Sequence, residues 1–225
     1  MYLEALTTCV NYSDFLLLAL HKNKKHFDNW VVVTTPEDDK TQALCKKYEV
    51  TCACTNAFSN NNVSFNKGAA LNFGYEQLTK QDWILLIDAD TILPSNTRQI
   101  VELQAKDESK LYGAPRLCCD RPGRVHRRVY NKQDGQASKD GKKGSIWGYF
   151  QLFHHSSKTS PFVNSPHAGV VDRRFAKLYK ERGRQQQLDL EVLHVGPTRL
   201  NWEGRITPKF NLKIKGLDKS LPKGF

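Results

Sequence analysis

A run of apolar residues, Trp83–Ile87, ends abruptly in the acidic triplet Asp88-Ala89-Asp90. The run has the composition of a buried β-strand. Because side chains alternate along a strand, Asp88 and Asp90 are expected to face the same way where the apolar residues stop. Two neighbouring carboxylates are costly unless a cation lies between them or they stay in water. Oxygen ligands suit Mg2+ or Mn2+, and such an ion could hold a diphosphate. A solvated strand end is the alternative that this motif leaves open.

The size and composition of the chain are typical of one globular domain. It has 225 residues, of which 39% are hydrophobic, and a single domain usually has this length. No window approaches the roughly 18 uncharged apolar residues of a membrane helix, and the N-terminus lacks the pattern of a signal peptide. We therefore expect no membrane contact and a cytoplasmic location. The six cysteines include no C-x-x-C pair, which predicts reduced thiols rather than a zinc site.

The positive charge of the chain is concentrated in one region. The net charge is +11, and residues 121–184 carry 15 Lys/Arg against 4 Asp/Glu, whereas the rest of the chain has 19 of each. Such a region indicates a polyanionic partner, such as nucleic acid, or a phosphorylated substrate. A solvated surface is the alternative.

Strand and helix patterns alternate through the first half of the chain, which predicts an α/β fold with a mostly parallel central sheet. The predicted strands cover residues 3–9, 30–35, 49–53, 83–87, 111–117, 145–154 and 190–195. The predicted helices cover residues 13–22, 40–48, 67–78, 96–104 and 171–180. Residues 120–144 are polar and basic without periodicity, which predicts a long basic loop. We divide the chain into a domain over 1–205, with halves 1–95 and 96–205, and a loosely packed tail over 206–225.

Four segments resemble, in order and spacing, those of GT-A glycosyltransferases of the family 2-like group. Residues 7–12 (TTCVNY) are similar to the first strand and turn of that group, and Asp38-Asp39 lies where its members often hold the nucleotide base. Residues 66–74 (NKGAALNFG) resemble its NKG-x-A-x-N-x-G segment, and the acidic triplet matches its D-x-D. The resemblance implies a single Rossmann-like GT-A domain that uses a nucleotide-sugar, with a UDP-sugar as the expected donor and Mn2+ or Mg2+ as the cofactor.

The physics of an open α/β sheet agrees with a donor site here, because ligands bind at the carboxyl ends of the strands. The polar residues after the first, second and fourth predicted strands all lie at such ends. Lys67 opens a predicted helix, and a helix N-terminus with a lysine favours phosphate; an ordinary surface lysine is the alternative. The expected donor-binding residues are Thr8, Asn11, Asp38, Asp39, Lys67, Asp88 and Arg205.

The second half of the chain supplies the catalytic candidate. Residues 144–153 (GSIWGYFQLF) resemble the strand and glycine turn on the acceptor side of this group, which implies acceptor contacts for Trp147 and Gly148. A core position is the alternative for Trp147. Members of the group carry an acidic pair before a helix, and one acid is the general base. Only Asp172 stands at that position, after Val171. The resemblance implies that Asp172 is the base, and a helix N-cap is the alternative.

A late histidine completes the metal shell in several GT-A enzymes, and the resemblance implies this role for His194, together with both aspartates of the D-x-D. Imidazole is an accepted ligand of Mn2+, and a structural histidine is the alternative. Residues 196–205 are polar and aromatic enough for a site loop. Arg205 or Arg199 could bind the diphosphate through two parallel hydrogen bonds.

The expected reaction transfers a sugar to an acceptor hydroxyl with inversion. The basic region lies where this fold handles acceptors, so we expect Arg127, Arg128 and Arg173 to contact the acceptor. A polyanionic acceptor points to DNA. GT-A-like enzymes that glycosylate hydroxymethylated pyrimidines are known among phages, and this compact chain would suit a viral enzyme of that kind. A glycan or a virion protein is the open alternative.

Two further interpretations lie outside glycosyl transfer. A nucleotidyltransferase also uses paired aspartates and a divalent metal ion, but it is expected to carry a glycine-rich phosphate loop, which residues 3–11 lack. A catalytically silent nucleic-acid-binding module on the same fold is the second interpretation.

Overall fold

The computed structural model describes residues 1–62, 65–121, 124–127, 146–196, 201, 204–207, 209 and 224–225, with the backbone alone at 60–62, 120–121 and 124–127. The predictions for Arg128, for Arg199 and for the side chain of Arg127 fall outside these residues. The same holds for most of the segments 120–144 and 206–225. Within the described ranges, no helix is long and apolar enough to cross a bilayer.

Seven strands form the central sheet: β1 (Leu3–Thr8), β2 (Asn29–Thr34), β3 (Thr51–Cys54), β4 (Trp83–Ile87), β6 (Leu111–Gly113), β9 (Phe150–His154) and β10 (Gln185–Gln187). They lie in the order β10-β6-β9-β4-β1-β2-β3. Four of the six pairings are parallel, and β9 runs antiparallel to both of its neighbours. The predicted α/β fold with a mostly parallel central sheet is confirmed.

Helices cover both faces of this sheet: α1 (Ser13–Asn23), α2 (Asp39–Tyr48), α3 (Lys67–Tyr75), α4 (Thr97–Gln104) and α5 (Ala168–Lys180). One core joins the sheet to α1 and α2 and includes Leu16, Trp30 and Cys45. The core on the other face joins it to α3 and α5 and includes Leu71 and Phe175. Because both faces are covered, β2 and β4 are continuous apolar runs rather than alternating ones.

A smaller sheet lies beside α1. It consists of β5 (Thr91–Ile92), β7 (Arg116–Arg121), β8 (Arg124–Arg127) and β11 (Val192–Val195), in the order β5-β11-β7-β8. Leu193 of this sheet packs with Phe15 of α1. The single strand predicted over 111–117 is therefore wrong, because β6 and β7 belong to different sheets on either side of Pro115. Proline has no N–H to donate to a ladder, which favours a break there.

Three further strands differ from the prediction. β8 lies inside the segment predicted as a loop over 120–144, and β10 consists of three glutamines with no apolar alternation to mark a strand. The strand predicted over 145–154 begins only at Phe150. A turn precedes it, in which Phe150 N donates to Trp147 O at 3.2 Å.

Helix α5 begins at Ala168, three residues before the predicted start, with His167 at the N-cap position. Asp172 therefore lies in the second turn of the helix. The alternative of an N-cap role for Asp172 is wrong, and its carboxylate is left for other partners.

The described end of the tail packs against the domain. Gly224 O accepts a hydrogen bond from Ser95 N at 2.8 Å, and Phe225 O accepts one from Lys22 Nζ at 3.1 Å. The Phe225 ring contacts the apolar cluster between α1 and the smaller sheet. This end of the chain is thus attached to the fold, in contrast to the predicted loose packing.

Two asparagines of the segment 66–74 hold α3 in position through hydrogen bonds. Asn66 caps the helix, because its Oδ1 accepts a hydrogen bond from Ala69 N at 3.0 Å. Asn72 exchanges two hydrogen bonds with the backbone of Phe162, at 2.9 and 2.8 Å. The asparagines of this segment therefore have structural roles that orient the N-terminus of α3.

Gly68 of the same segment allows a close backbone approach, since an ideal Cβ at this position would lie 1.9 Å from Val163 O. Gly68→Ala is expected to lower the free energy of unfolding by about 1–3 kcal/mol, because the methyl group must displace backbone. Without this close approach, the higher helix propensity of alanine would raise the free energy of unfolding by about 0.5–1 kcal/mol. The sign of the change in this free energy therefore shows whether the backbone contact is present. Denaturant unfolding followed by circular dichroism measures it, and a more stable variant would contradict the close approach.

Candidate active site

A pocket opens at the carboxyl ends of β1 and β4, the edge of an α/β sheet where ligands bind. It brings together side chains that the chain supplies from distant positions. Of the predicted donor, metal and catalytic residues, those lining it are Thr8, Lys67, Asp88, Asp90, Asp172, His194 and Arg205. The carboxyl-end position of the site is the one expected for this fold class.

Lys67 is the centre of the charged network in the pocket. Its Nζ lies 2.9 Å from Asp88 Oδ1 and 3.0 Å from Asp172 Oδ1, and its side chain is only 9% exposed. Burial acts to lower the pKa of Lys67, but the charges of Asp172 and Asp88 outweigh this and raise the pKa above its ordinary value. The lysine therefore stays charged and offsets the repulsion between two carboxylates, although one positive charge does not neutralise both. Its predicted contact with donor phosphate stays a prediction.

Asp172 reaches this network from the second turn of α5. Burial raises the pKa of Asp172 to about 6, with Lys67 acting against the rise and Asp88 adding to it. Its carboxylate lies against the backbone of Gly148, where an ideal Cβ would be 1.9 Å from Asp172 Oδ2. The helix position is held by Gln151 Nε2, which donates to Asp172 O at 3.0 Å. Gly148 thus makes room for the carboxylate.

The two aspartates of the D-x-D differ in their electrostatic surroundings. Burial acts to raise the pKa of Asp88, but the charge of Lys67 outweighs it, so the pKa lies below its ordinary value. Burial, together with the charge of Asp88, raises the pKa of Asp90 to about 7. Asp88 therefore has a cation supplied by the chain, whereas an added cation would stabilise the ionised form of Asp90.

The smaller sheet positions Asp90. Its carbonyl accepts a hydrogen bond from Val195 N at 2.8 Å. Its Oδ2 lies 3.4 Å from the hydroxyl of Tyr12 and 3.5 Å from His194 Nε2. Its Oδ1 is buried and finds no hydrogen-bond partner among the residues that the structure describes. Buried polar atoms usually have a partner, so an unsatisfied one next to an imidazole indicates a ligand site.

The donor atoms around Asp90 suit a divalent metal ion. A carboxylate and an imidazole are ligands that Mn2+ accepts, and Asp90 Oδ1 is available. Asp88 turns its Oδ1 to Lys67, and its predicted role as a metal ligand stays a prediction. Within the described part of the chain, no three His, Cys, Asp or Glu side chains converge on one metal position. Further ligands would have to come from outside this set of described side chains.

Arg205 lines the pocket but already has an anionic partner. Its two terminal nitrogens both bond to the carboxylate of Asp14, and Nη1 also donates to Asn11 O at 2.9 Å. The guanidinium lies over the rings of Tyr12, 4.9 Å from its centre, and Phe15, 5.5 Å away. A bidentate contact with the diphosphate therefore requires this ion pair to open, and it stays a prediction.

Asp38 has a structural role that the sequence did not indicate. Its carboxylate accepts hydrogen bonds from Asn11 N at 2.7 Å, Thr34 Oγ1 at 3.1 Å, Thr41 Oγ1 at 2.7 Å and Thr41 N at 3.2 Å. The predicted direct contact of Asp38 with the donor does not fit this geometry, because the side chain is buried and caps α2. Asn11 is instead held in place by it, at φ 55°, and asparagine tolerates this conformation better than most residues. Asp39 is exposed, and neither it nor Asn11 lines the pocket.

Three residues of the site were missed by the sequence analysis. Tyr12 accepts a hydrogen bond from Asn201 Nδ2 at 2.7 Å and stacks on Phe15, with the ring centres 4.3 Å apart. The guanidinium of Arg116 lies 4.6 Å from the centre of the Tyr149 ring, and its charge opposes the burial that raises the pKa of Asp90. Tyr12 had a signal, because it follows the polar end of the first strand. Asn201 also had one, because it lies in the segment 196–205 that is expected to form a site loop. Arg116 had none, because tertiary structure alone brings it near Asp90.

Of the predicted acceptor residues, the structure describes Trp147, Gly148 and Arg173 in full, and none of the three lines the pocket. Gly148 contacts the Asp172 carboxylate, as described above, and Trp147 is half-buried against the core, which agrees with its alternative role. Arg173 is exposed on α5, and its Nε donates to Gly169 O at 3.1 Å. For these residues, contact with an acceptor stays a prediction.

Comparisons with known proteins relate the chain to glycosyltransferases. No curated protein matches it. Glucosyl-3-phosphoglycerate synthase from Mycobacterium tuberculosis, with Mn2+, UDP-glucose and phosphoglyceric acid, is similar in structure. Its TM-score is 0.61 at 14% identity, over 92% of this chain and 72% of that one. The same enzyme with Mn2+, UDP and glucosyl-3-phosphoglycerate has a TM-score of 0.59 at 13% identity, over 92% and 73%. These likenesses show the GT-A fold.

The sequence match is to the family described as glycosyl transferase family 2 and covers residues 5–162. This range begins within β1, extends past β9 and contains the segment 66–74 and the D-x-D. Because it spans well over half of the chain, the protein belongs to glycosyl transferase family 2.

Proposed function

We propose that this glycosyltransferase uses a divalent metal ion bound by Asp90 and His194, and that Asp172 is its general base. The observation that carries the proposal is the arrangement around Lys67, which holds Asp88 and Asp172 within 3.0 Å of one ammonium group. A candidate base, a candidate metal ligand and a candidate phosphate contact thereby share one pocket.

A UDP-sugar is the proposed donor and Mn2+ or Mg2+ the proposed cofactor. The structurally similar synthase was solved with Mn2+ and UDP-glucose, and the buried, unsatisfied Asp90 Oδ1 supports a metal ion here. A metal ion bound to the diphosphate neutralises the negative charge of the leaving group. Asp90 and His194 would hold this ion, with donor phosphates or water as the remaining ligands.

Asp172 is proposed to take the proton of the acceptor hydroxyl. As the hydroxyl oxygen forms its bond to the anomeric carbon, the bond from that carbon to the diphosphate breaks, and the proton passes to a carboxylate oxygen of Asp172. A single displacement of this kind inverts the anomeric configuration. A pKa of about 6 for Asp172 suits the task, because the group is ionised at neutral pH but still basic enough to accept a proton. Lys67 keeps the carboxylate in place between turnovers.

A hydroxymethylated pyrimidine in DNA is the proposed acceptor, with a viral origin as the matching context. The excess of basic residues over 121–184 supports a polyanionic acceptor. A glycan or virion protein acceptor is the alternative within the same reaction. A silent nucleic-acid-binding module is the alternative outside it, and donor turnover would exclude this module.

Asp90→Asn is expected to weaken Mn2+ binding and to lower turnover of the donor by at least about 100-fold, because the amide loses the charge that holds the ion. Mn2+ titration followed by electron paramagnetic resonance, in the presence of UDP, measures binding without reference to activity. The exposed residue Asp189, outside the pocket, provides the matched control Asp189→Asn. Equal Mn2+ affinity in the two variants would contradict the metal assignment.

Turnover by the wild type is expected to fall as the pH drops through about 6, because protonated Asp172 cannot accept the proton of the acceptor hydroxyl. Asp172→Asn should lower kcat by about 10²- to 10⁴-fold and should remove this acidic limb. A pH profile of kcat for both proteins, with donor affinity measured by calorimetry, tests this. An unchanged acidic limb in the variant would assign the titration to another group.

A donor and acceptor screen with Mn2+ tests the reaction as a whole. UDP-glucose, UDP-GlcNAc and GDP-mannose would be offered with hydroxymethylated DNA, with unmodified DNA and without acceptor. A hexose mass gain on the hydroxymethylated DNA alone, with release of nucleoside diphosphate, is the expected result. Donor hydrolysis without DNA modification would move the acceptor to a glycan or protein, and no turnover of any donor would favour the silent module.

A further inference from the structure

The outer face of α5 is a basic surface next to the active-site pocket. From Arg173 to Arg184 the chain has six basic residues and a single acidic one, Glu181, and all seven are exposed. The opposite side of the helix is apolar and buried, with Val171 and Phe175 in the core. Four of the basic residues therefore lie on the exposed side of α5, and Arg182 and Arg184 follow its end. Lys177 also forms an exposed ion pair with Glu181 at 3.3 Å, so the basic residues still outnumber the acidic one by five.

A groove runs along this basic surface. It has a volume of about 400 Å³ and lies between α5, with Arg174 and Lys177, and residues 160–163. A smaller hollow shares Phe175 and Leu178 with it and has Arg182 and Arg184 on its wall. The groove and the hollow are therefore neighbours, and each has basic residues in its lining.

The basic residues of α5 include a regular stripe. Arg173, Lys177 and Lys180 stand at positions i, i+4 and i+7, which lie on one side of a helix. With a rise of 1.5 Å per residue, the second and third lie about 6 Å and about 10.5 Å along the axis from the first. A row of positive charges with this spacing matches an extended chain of repeated anions better than one small phosphate.

The stripe starts beside the proposed catalytic group, since Arg173 directly follows Asp172 and the other positions lie further along the same helix. Ala168 and Asp172 of this helix line the active-site pocket, so a polymer bound along the stripe would lie on the element that carries the proposed base. Their place on the helix of Asp172 distinguishes the basic residues of α5 from those elsewhere, such as Lys46 and Lys47 at the end of α2.

We propose that the α5 face binds the phosphodiester backbone of DNA and so holds the acceptor strand while its hydroxyl reaches Asp172. The inference rests on the proposed function and deepens it, because it assigns the acceptor contacts to α5. A membrane surface fits less well. An interfacial helix needs a broad exposed apolar face, whereas among the described residues of α5 only Leu178 is a large exposed hydrophobic residue.

The test is DNA binding without donor or metal ion, measured by fluorescence anisotropy with a labelled duplex and a labelled single strand over a range of salt concentrations. The variant Lys177→Glu/Lys180→Glu reverses two charges of the stripe. The control Lys46→Glu/Lys47→Glu makes the same change of net charge in the last turn of α2, away from the pocket. Circular dichroism and thermal unfolding of both variants exclude misfolding.

The α5 variant is expected to weaken DNA binding by at least about tenfold and to reduce the slope of log K against log salt by about 2, because two phosphate contacts are lost. The control should stay within about twofold of the wild type. An equal loss in both variants would overturn the proposal in favour of nonspecific attraction to net charge. Unchanged binding in the α5 variant, or wild-type binding to anionic phospholipid vesicles but not to DNA, would also overturn it.

Donor turnover by the wild type is measured separately, so that the two proposals fail in different ways. Loss of DNA binding in the α5 variant without donor turnover by the wild type would support the docking surface and contradict the proposed reaction. Donor turnover with no effect of the α5 charges on DNA binding would support the proposed reaction and contradict the proposed docking surface.

Discussion

A single buried ammonium group holds the active site together. Lys67 lies between Asp88, which directly follows β4, and Asp172, which lies in α5. Removal of a partner from a buried ion pair is strongly destabilising, because it leaves an uncompensated charge. Lys67 can reach both carboxylates because α3 begins at a fixed place. Asn66 caps this helix, and the close approach of Gly68 to Val163 sets the distance between α3 and the loop of residues 162–163.

The same arrangement separates the two acids of the D-x-D, although they are one residue apart. Asp88 has its cation within the chain, and this keeps its pKa below the ordinary value despite burial. Asp90 turns toward His194 and the smaller sheet, where burial raises its pKa to about 7 and no described cation is bonded to it. Two similar side chains thus acquire different chemistry, because one is paired with Lys67 and the other is held by β11 through its backbone.

Much of the fold could be predicted from the sequence where local pattern and burial agree. The strand Trp83–Ile87 has the predicted bounds, because an apolar run between polar residues is unambiguous. β10 could not be predicted, because three glutamines carry no apolar alternation and form a strand only by pairing with β6. Asp38 shows why the role of a candidate site residue is harder to predict from the sequence. Its position at the end of β2 fitted a donor contact, but four hydrogen bonds from the surrounding turn and helix give it a structural role.

The sequence by itself determined the fold class, the edge of the sheet at which the site lies and the residue types available there. These follow from periodicity and from the rule that parallel strands end at a common edge. Only the tertiary structure decided which acid pairs with Lys67, which acid keeps an unsatisfied oxygen, and that Tyr12 and Arg116 join the site. Such pairings depend on distances between elements far apart in the chain. Burial and electrostatics act through those distances, and no local pattern in the sequence records them.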